Sequence, residues 1–180
     1  HWRLMTRLIA EIKEWSGDIE DIPRSHDDLL KITRLLRFIG ASPVDGINYT
    51  SISSNVGVTK YMAEKYVGHL ERSFILRRAL PAGTNVVREP KIFMDPPYRL
   101  LYRPFEECVG EIREDFFALA MEQHGIALSY AKTKRGGKTP DFVLDEGGRR
   151  VILEVGGKSK GRTQFTELDY DAKIVLAPAT

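Results

Sequence analysis

The chain has 180 residues, 42% of them hydrophobic and 29% charged, with a formal net charge of +2. That length fits one ordinary domain or two small ones, and the small net charge excludes a global field for nucleic acid, so any such contact must come from a local patch. One cysteine, Cys108, excludes an internal disulfide framework and reads as a small buried hydrophobe in a reducing compartment.

No apolar run approaches the ~20 residues of a membrane span, and no signal peptide is visible, so a cytoplasmic address is expected and no membrane partner. The histidines His1, His26, His69 and His124 are scattered without metal-ligand spacing. No Gly-rich phosphate-binding loop of the P-loop type occurs, so these residues do not themselves form a P-loop ATPase.

Leu4, Leu8, Ile9, Ile12 and Trp15 fall on one face of an opening helix. The chain starts at His1 inside that pattern, which leads to the expectation of a piece cut from a longer protein. Ser25 is a candidate N-cap, with Asp27 and Asp28 in the first turn. The helix it starts carries Leu29, Leu30, Ile32, Leu35, Leu36 and Ile39 and is expected to stop at Gly40, with Pro43 beyond.

A short helix over Tyr49 to Val56, a turn at Gly57-Val58 and a longer helix capped by Thr59 and running to about Arg72 make a helix-turn-helix signature. Phe74 to Arg78 and Lys91 to Met94 read as two strands, completing a winged-helix arrangement. On the second helix Ala63, Tyr66, Val67 and Leu70 point inward. Lys60, Tyr61, Glu64, Lys65 and Gly68 lie opposite, and Lys60, Tyr61 and Lys65 are the candidate contacts to DNA phosphates, with Arg77, Arg78 and Arg88 added from the wing. Glu64 and Glu71 dilute that charge, and the face carries no Asn, Gln or Arg to read base edges.

Asp95-Pro96-Pro97 through Arg103-Pro104 reads as a rigid, extended linker. A second unit follows: a helix over Glu111 to His124 with Ile112, Phe116, Leu119 and Ala120 along one stripe, a strand over Ala127 to Tyr130, a hairpin, and a last strand over Lys173 to Leu176. This pattern predicts an α/β layered unit. Glu114 shares a helix face with Phe117, Ala118 and Met121, so it points toward packed surface, where a charge requires a partner.

The hairpin carries the most informative residues. Gly147-Gly148 suits a two-residue type I′ turn, which requires positive φ at both positions. With that turn Glu146 faces Arg149, Leu144 faces Val151, and Asp141 faces Glu154, placing the two Cβ atoms roughly 4.5–5.5 Å apart. Two carboxylates so placed suit one hard cation, Mg²⁺ or Mn²⁺, which prefers a few carboxylates plus water and phosphate oxygens. Asp141 and Glu154 are the candidate metal ligands, with Glu114 as a third acid. A lysine at position 156 would share the face of Glu154; glycine stands there, and Lys158 has the same parity beyond Gly156-Gly157. The plain alternative is a polar hairpin with two solvent-facing acids.

Charge concentrates around this hairpin. Between residues 130 and 163 stand Lys132, Lys134, Arg135, Lys138, Arg149, Arg150, Lys158, Lys160 and Arg162, against Asp141, Asp145, Glu146 and Glu154. Nine cations against four anions form a local basic field suited to a phosphodiester backbone. Lys132, Lys134, Arg135 and Lys138 are the candidate nucleic-acid contacts there, the alternative being solvated loops.

In order and spacing, these segments resemble the C-terminal half of a bacterial and archaeal AAA+ ATPase family whose C-terminal domain is of uncharacterised function. The matching stretches are Asp21-Ile22-Pro23, Leu35 to Ile39, the winged helix from Tyr49 to Arg78, Pro90 to Asp95, Glu111 to Phe116, Pro140-Asp141-Phe142 and Glu154-Val155. The resemblance implies an α+β chain: residues 1–22 as the trailing helix of a missing ATPase lid, 23–95 as a winged helix and 96–180 as a PD-(D/E)xK nuclease-like, restriction-endonuclease-like domain. It maps the early helix acid to Glu114, the aspartate to Asp141 and the second carboxylate to Glu154. Gly156 replaces the Glu-x-Lys lysine, leaving Lys158 as the nearest substitute. The family's Asp-x-Gly-Leu turn is altered to Asp95-Pro96-Pro97-Tyr98. ATP would bind only in the missing N-terminal domain, which would also be the partner of this region and the main source of any homo-oligomer.

Three functions follow as expectations. The first is a nucleic-acid-interacting, regulatory region of an AAA+ ATPase with a degenerate nuclease-like domain. The second is an active divalent-metal-dependent nuclease using Glu114, Asp141, Glu154 and Lys158. The third is a protein-docking module without catalysis.

Overall fold

A computed structural model describes residues 25–83, 89–131, 139–156, 165 and 168–177. The expected opening helix, Arg88, Lys158 and the run from Lys132 to Lys138 lie outside the described residues. The chain is mixed α+β, and no described helix is long and apolar enough to cross a membrane.

The first helix, α1, spans His26–Ala41 and begins on a capping box in which Ser25 and Asp28 bond each other's backbone N–H. Its buried face is Ile32, Leu35, Leu36 and Ile39. Gly40 lies inside the helix rather than after it, because Tyr102 packs against its bare Cα: a Cβ there would lie 2.2 Å from the Tyr102 ring. A 3₁₀ turn, Val44–Gly46, leads to α2, Tyr49–Val56, capped by Asn48 and closed by Gly57 at φ 75°. Thr59 caps α3, Lys60–Arg72, which buries Ala63, Tyr66, Val67 and Leu70 as its periodicity predicts. These three helices enclose one apolar core, to which Ile75 contributes from the turn before the sheet and Leu76, Ile92 and Met94 from the sheet itself.

Strand β1 is Leu76–Pro81, two residues later than expected at its start. Phe74 is 72% exposed at φ 57°, a backbone setting that breaks a strand. β2, Lys91–Met94, pairs antiparallel with β1. Among the described residues β1 also pairs in parallel with β3, Ser129–Tyr130, so the strands beside the helices continue into the later ones. Among the described residues the order is β2-β1-β3-β4-β5-β6, with β4 Phe142–Glu146, β5 Arg149–Val155 and β6 Ala172–Leu176.

The expected extended linker is not extended. Pro96–Arg99 forms a helical turn, α4, which Pro at its first positions favours. It turns Arg99 into the interior, where the guanidinium bonds Asp115 and the carbonyls of Ile39, Gly40 and Ser42 at the end of α1. Arg99 and Asp115 are both 0% exposed. A second 3₁₀ turn, Phe105–Glu107, precedes α5, Val109–Gln123. Cys108 is buried beside it, as expected. The expected stripe on α5 is rotated: Asp115 and Ala118 face inward, while Phe116 is 62% exposed. The buried Arg99 sets that rotation, since Asp115 must meet it. Phe117 remains inward and packs on Phe142, which stacks on Phe93, so α5 lies against the strands carrying the hairpin.

Candidate functional site

The hairpin forms as its glycines dictate. Gly147 and Gly148 lie at φ 58° and 80°, the positive pair a type I′ turn requires. Pairing runs Glu146 to Arg149, Leu144 to Val151 and Phe142 to Leu153. Beyond the last paired residues, Phe142 and Leu153, lie Asp141 and Glu154. Neither acid faces solvent: Asp141 is 5% and Glu154 4% exposed. A solvated polar hairpin is therefore not what this end of the ladder is, although Asp145 and Arg150 at the other end are exposed and bond each other at 2.7 Å.

Asp141 just precedes β4 and accepts the backbone N–H of Val155 through Oδ2 at 2.7 Å. That bond fixes its side chain to the neighbouring strand beside Glu154. Strand β5 ends at Val155, and Gly156 donates its N–H to Leu176 of β6 at 3.0 Å. Gly156 lies at φ 151°, a backbone setting that L side chains rarely adopt. A lysine at this position would require the strand end to be rebuilt.

A buried lysine comes from β2 and meets two other acids. Lys91 is 8% exposed and bonds Asp45 Oδ1 at 2.6 Å and Glu114 Oε2 at 3.3 Å. Its ammonium lies 5.6 Å from the Phe93 ring centre and 5.7 Å from that of Phe142. Burial pulls its pKa down, but Glu114, Asp45 and Asp141 together outweigh burial and hold it above the ordinary lysine value. Lys91 is therefore a fixed cation at neutral pH. Glu114, on α5, is inward as its helix face predicts, with 13% of its side chain exposed.

Lys91 also lines a cleft of about 460 Å³ between the helical part and the sheet, with Asp45, Thr50, Glu89, Tyr130 and Pro140 among the walls. Glu89 organises its rim. Its carboxylate accepts the N–H and hydroxyl of Thr50 and the ammonium of Lys60, while its backbone carbonyl accepts the Tyr130 hydroxyl at 2.5 Å. Burial alone would raise the Glu89 carboxyl; the bonds from Lys60 and Thr50 win and hold it below the ordinary range.

The proposed contacts on α3 divide into two kinds. Tyr61 is 68% exposed, with the Lys65 ammonium 5.9 Å from its ring centre, so the two form one accessible cationic and aromatic surface. Lys60 remains exposed but is paired with Glu89 at 2.8 Å. Arg77 and Arg78, expected as additional phosphate contacts, are engaged internally. Arg77 is 6% exposed and pairs with Glu122 at 2.5 Å; Arg78 binds Glu71 and the Tyr49 hydroxyl.

The donor chemistry at the hairpin suits a hard cation: Asp141 and Glu154 offer carboxylate oxygens from facing strands, as Mg²⁺ or Mn²⁺ prefers. Among the described residues no group of three His, Cys, Asp or Glu side chains gathers as a metal site. Any ion held there would thus rest on two protein carboxylates, with water or phosphate completing its shell. The residue sequence reasoning missed is Lys91. Its signal was faint but present: Lys91 occupies the first position of a short strand flanked by Ile92, Phe93 and Met94, and all four positions are buried.

No family model matches the chain. No curated protein matches it. Among solved structures, a mutant of S. aureus MepR is similar at 15% identity and TM-score 0.35, over 68% of this chain and 80% of that one. The S. aureus MepR-DNA complex is similar at 16% identity and TM-score 0.36, over 69% of this chain and 85% of that one.

Proposed function

We propose that this chain is a nucleic-acid-interacting, regulatory region of an AAA+ ATPase, in which a winged-helix unit is joined to a nuclease-like sheet. The observation that carries the reading is the pair of buried acids Asp141 and Glu154 at one end of the β4–β5 hairpin, where Asp141 accepts the backbone N–H of Val155, the residue after Glu154. Two buried carboxylates on adjoining strand ends can hold the hard cation that phosphodiester chemistry uses. The Tyr61–Lys65 surface on α3 supplies a separate place for the backbone of DNA, combining a phosphate-binding cation with a stacking ring. The ATPase context rests on the order of sequence segments alone, and a cytoplasmic address goes with it.

Fluorescence anisotropy with labelled single- and double-stranded DNA across a salt series tests the nucleic-acid reading. Binding is expected to weaken steeply with salt. Lys65→Ala should flatten the slope of log K against log salt by about 0.9, the share of one released counterion. Neutralising Lys132, Lys134, Arg135 and Lys138 together should flatten it further. Undetectable binding of both DNA forms at about 100 mM salt, where charge-driven binders still associate, would overturn the proposal.

A further inference from the structure

We infer that a second cleft, beside Arg77, binds a small neutral ligand: an apolar body carrying one amide- or ketone-type carbonyl, whose oxygen accepts a hydrogen bond from the Arg77 guanidinium. The inference stands apart from the nucleic-acid reading and from the acids of the hairpin.

The cleft opens where β1 and the chain leading into β3 diverge. Those strands pair at Leu80–Ser129 and Pro81–Tyr130. Ahead of that pairing, Gly125 turns the chain after α5 at φ 69°. A space of about 460 Å³ then lies between residues 77–80 on one side and 125–129 on the other, the size of a small-molecule site. Ala79, Phe93, Ala118 and Leu128 give it an apolar wall. Leu80 and Ile126 also line it and are 54% and 39% exposed, apolar surface that a bound molecule would cover. The main chain contributes as well. Ala82 donates its N–H to Tyr130 of β3, so alternation along β1 turns the N–H and C=O of Arg78 to that same side, away from β2.

The polar groups select the ligand. Arg77 is 6% exposed; Glu122 takes its Nε, and Nη2 lies 3.9 Å from Asp95, beyond hydrogen-bond reach. Nη1 has no acceptor, and among the described residues it is the buried side-chain nitrogen or oxygen left so. A buried donor without an acceptor is destabilising, so an oxygen delivered to this guanidinium satisfies a group that has already left water.

Charge decides which oxygen. Arg77 and Arg78 already meet three acids, Glu122, Asp95 and Glu71. Burial pushes the Asp95 carboxyl up, Arg77 pulls it down, and Glu122 pushes it up again. A ligand carboxylate would add a fourth negative charge to this group. An ammonium has no acceptor to offer Arg77. A neutral carbonyl supplies the acceptor without the charge, and an amide can also donate to the Arg78 carbonyl.

The test uses three probes of one shape: 3-phenylpropanamide, 3-phenylpropanoate and 3-phenylpropylamine. Each is titrated at pH 7 into the ¹⁵N-labelled 180-residue chain and followed by NMR. The amide is expected to bind with Kd on the order of 1 mM, as suits a fragment of its size, shifting the N–H signals of Arg78, Ala79 and Ala127. The acid and the amine should bind at least about tenfold more weakly. Arg77→Lys keeps a cation for Glu122 and Asp95 but removes the planar fork, and should weaken the amide about tenfold. Ala127 lines the cleft from an exposed position, so Ala127→Phe should block it and abolish binding with Tm unchanged; this variant decides the matter if Arg77→Lys does not fold. No response to the amide at about 10 mM, ten times the expected Kd, would overturn the inference. So would an acid that binds as tightly as the amide, shifts confined to another part of the chain, or amide affinity unchanged in folded Arg77→Lys or in Ala127→Phe.

Discussion

Replacing Arg99 by Met should be among the most damaging single changes in this chain. Arg99 and Asp115 are fully buried, with two hydrogen bonds joining them. Met fills much of the volume of the arginine stem but leaves the Asp115 carboxylate without its counter-ion in the interior. Breaking a buried pair from one side costs about 3–5 kcal/mol. The carbonyls of Ile39, Gly40 and Ser42 lose a donor at the end of α1 as well, so the upper part of that range is expected. For a chain of this size each kcal/mol lowers Tm by about 2–4 °C, giving a fall of roughly 8–20 °C.

The partner change must be chosen with care, because Asp115 Oδ1 also accepts the N–H of Met94 at 3.0 Å. Asparagine at position 115 keeps that acceptor and removes the charge. Arg99→Met with Asp115→Asn should therefore recover at least about 1.5 kcal/mol relative to Arg99→Met alone, because no unpaired charge remains. Urea unfolding with a common m-value measures both. A loss below about 1 kcal/mol for Arg99→Met, too small for an uncompensated buried charge, would refute the reasoning. A double variant less stable than the single would refute it equally. The outcome bears on the site, since Glu114 is the residue next to Asp115 on α5 and its reach to Lys91 depends on the rotation that Arg99 sets.

Two further changes probe the frame around the cleft. Gly40→Ala places a Cβ 2.2 Å from the Tyr102 ring and should cost about 1–3 kcal/mol by overpacking, a loss that should shrink in the same unfolding assay when Gly40→Ala is made in a Tyr102→Ala background, which removes the clashing ring atoms. Glu89→Gln removes the carboxylate that holds Thr50 and Lys60 and should cost about 1 kcal/mol at neutral pH. Because the folded pKa of Glu89 is depressed, its contribution is present above the unfolded value and is lost as pH falls through the folded one. The stability gap between wild type and Glu89→Gln should therefore close on acidification and be unchanged between pH 6 and 8, to be read from unfolding curves at a series of pH values.

What was legible in the sequence follows the range of the forces involved. Ser25 and Thr59 act on the backbone within three residues of themselves, so the starts of α1 and α3 are written locally; Asn48, which the sequence reading did not single out, caps α2 in the same way. Gly147-Gly148 fixes its own turn and, through it, the whole register from Glu146–Arg149 outward. The misreadings lie where a distant group decides. Pro96–Arg99 looked extended because two prolines and no apolar periodicity give no helical signal, yet the carbonyls of α1 and Asp115 draw Arg99 inward. The α5 stripe was misjudged for the same reason: a buried aspartate outranks Phe116 for the interior only once its arginine is known.

The same logic explains why the centre looked incomplete. A lysine two residues from Glu154 would be visible as a strand pattern, because period-two alternation puts both on one face. Lys91 meets Asp45 and Glu114 from another part of the chain, beside the rings of Phe93 and Phe142, and no local periodicity encodes that meeting. Its strand position also carries information that composition hides. A lysine kept 8% exposed has left water, and such a burial is sustained only where carboxylates compensate it. Asp45 and Glu114 do so from outside the sheet, and Asp141 adds to them from the hairpin. The acids and the lysine are thus mutually required. Neutralising either side leaves the other as an uncompensated charge, which makes paired substitutions, rather than single ones, the informative way to interrogate this centre.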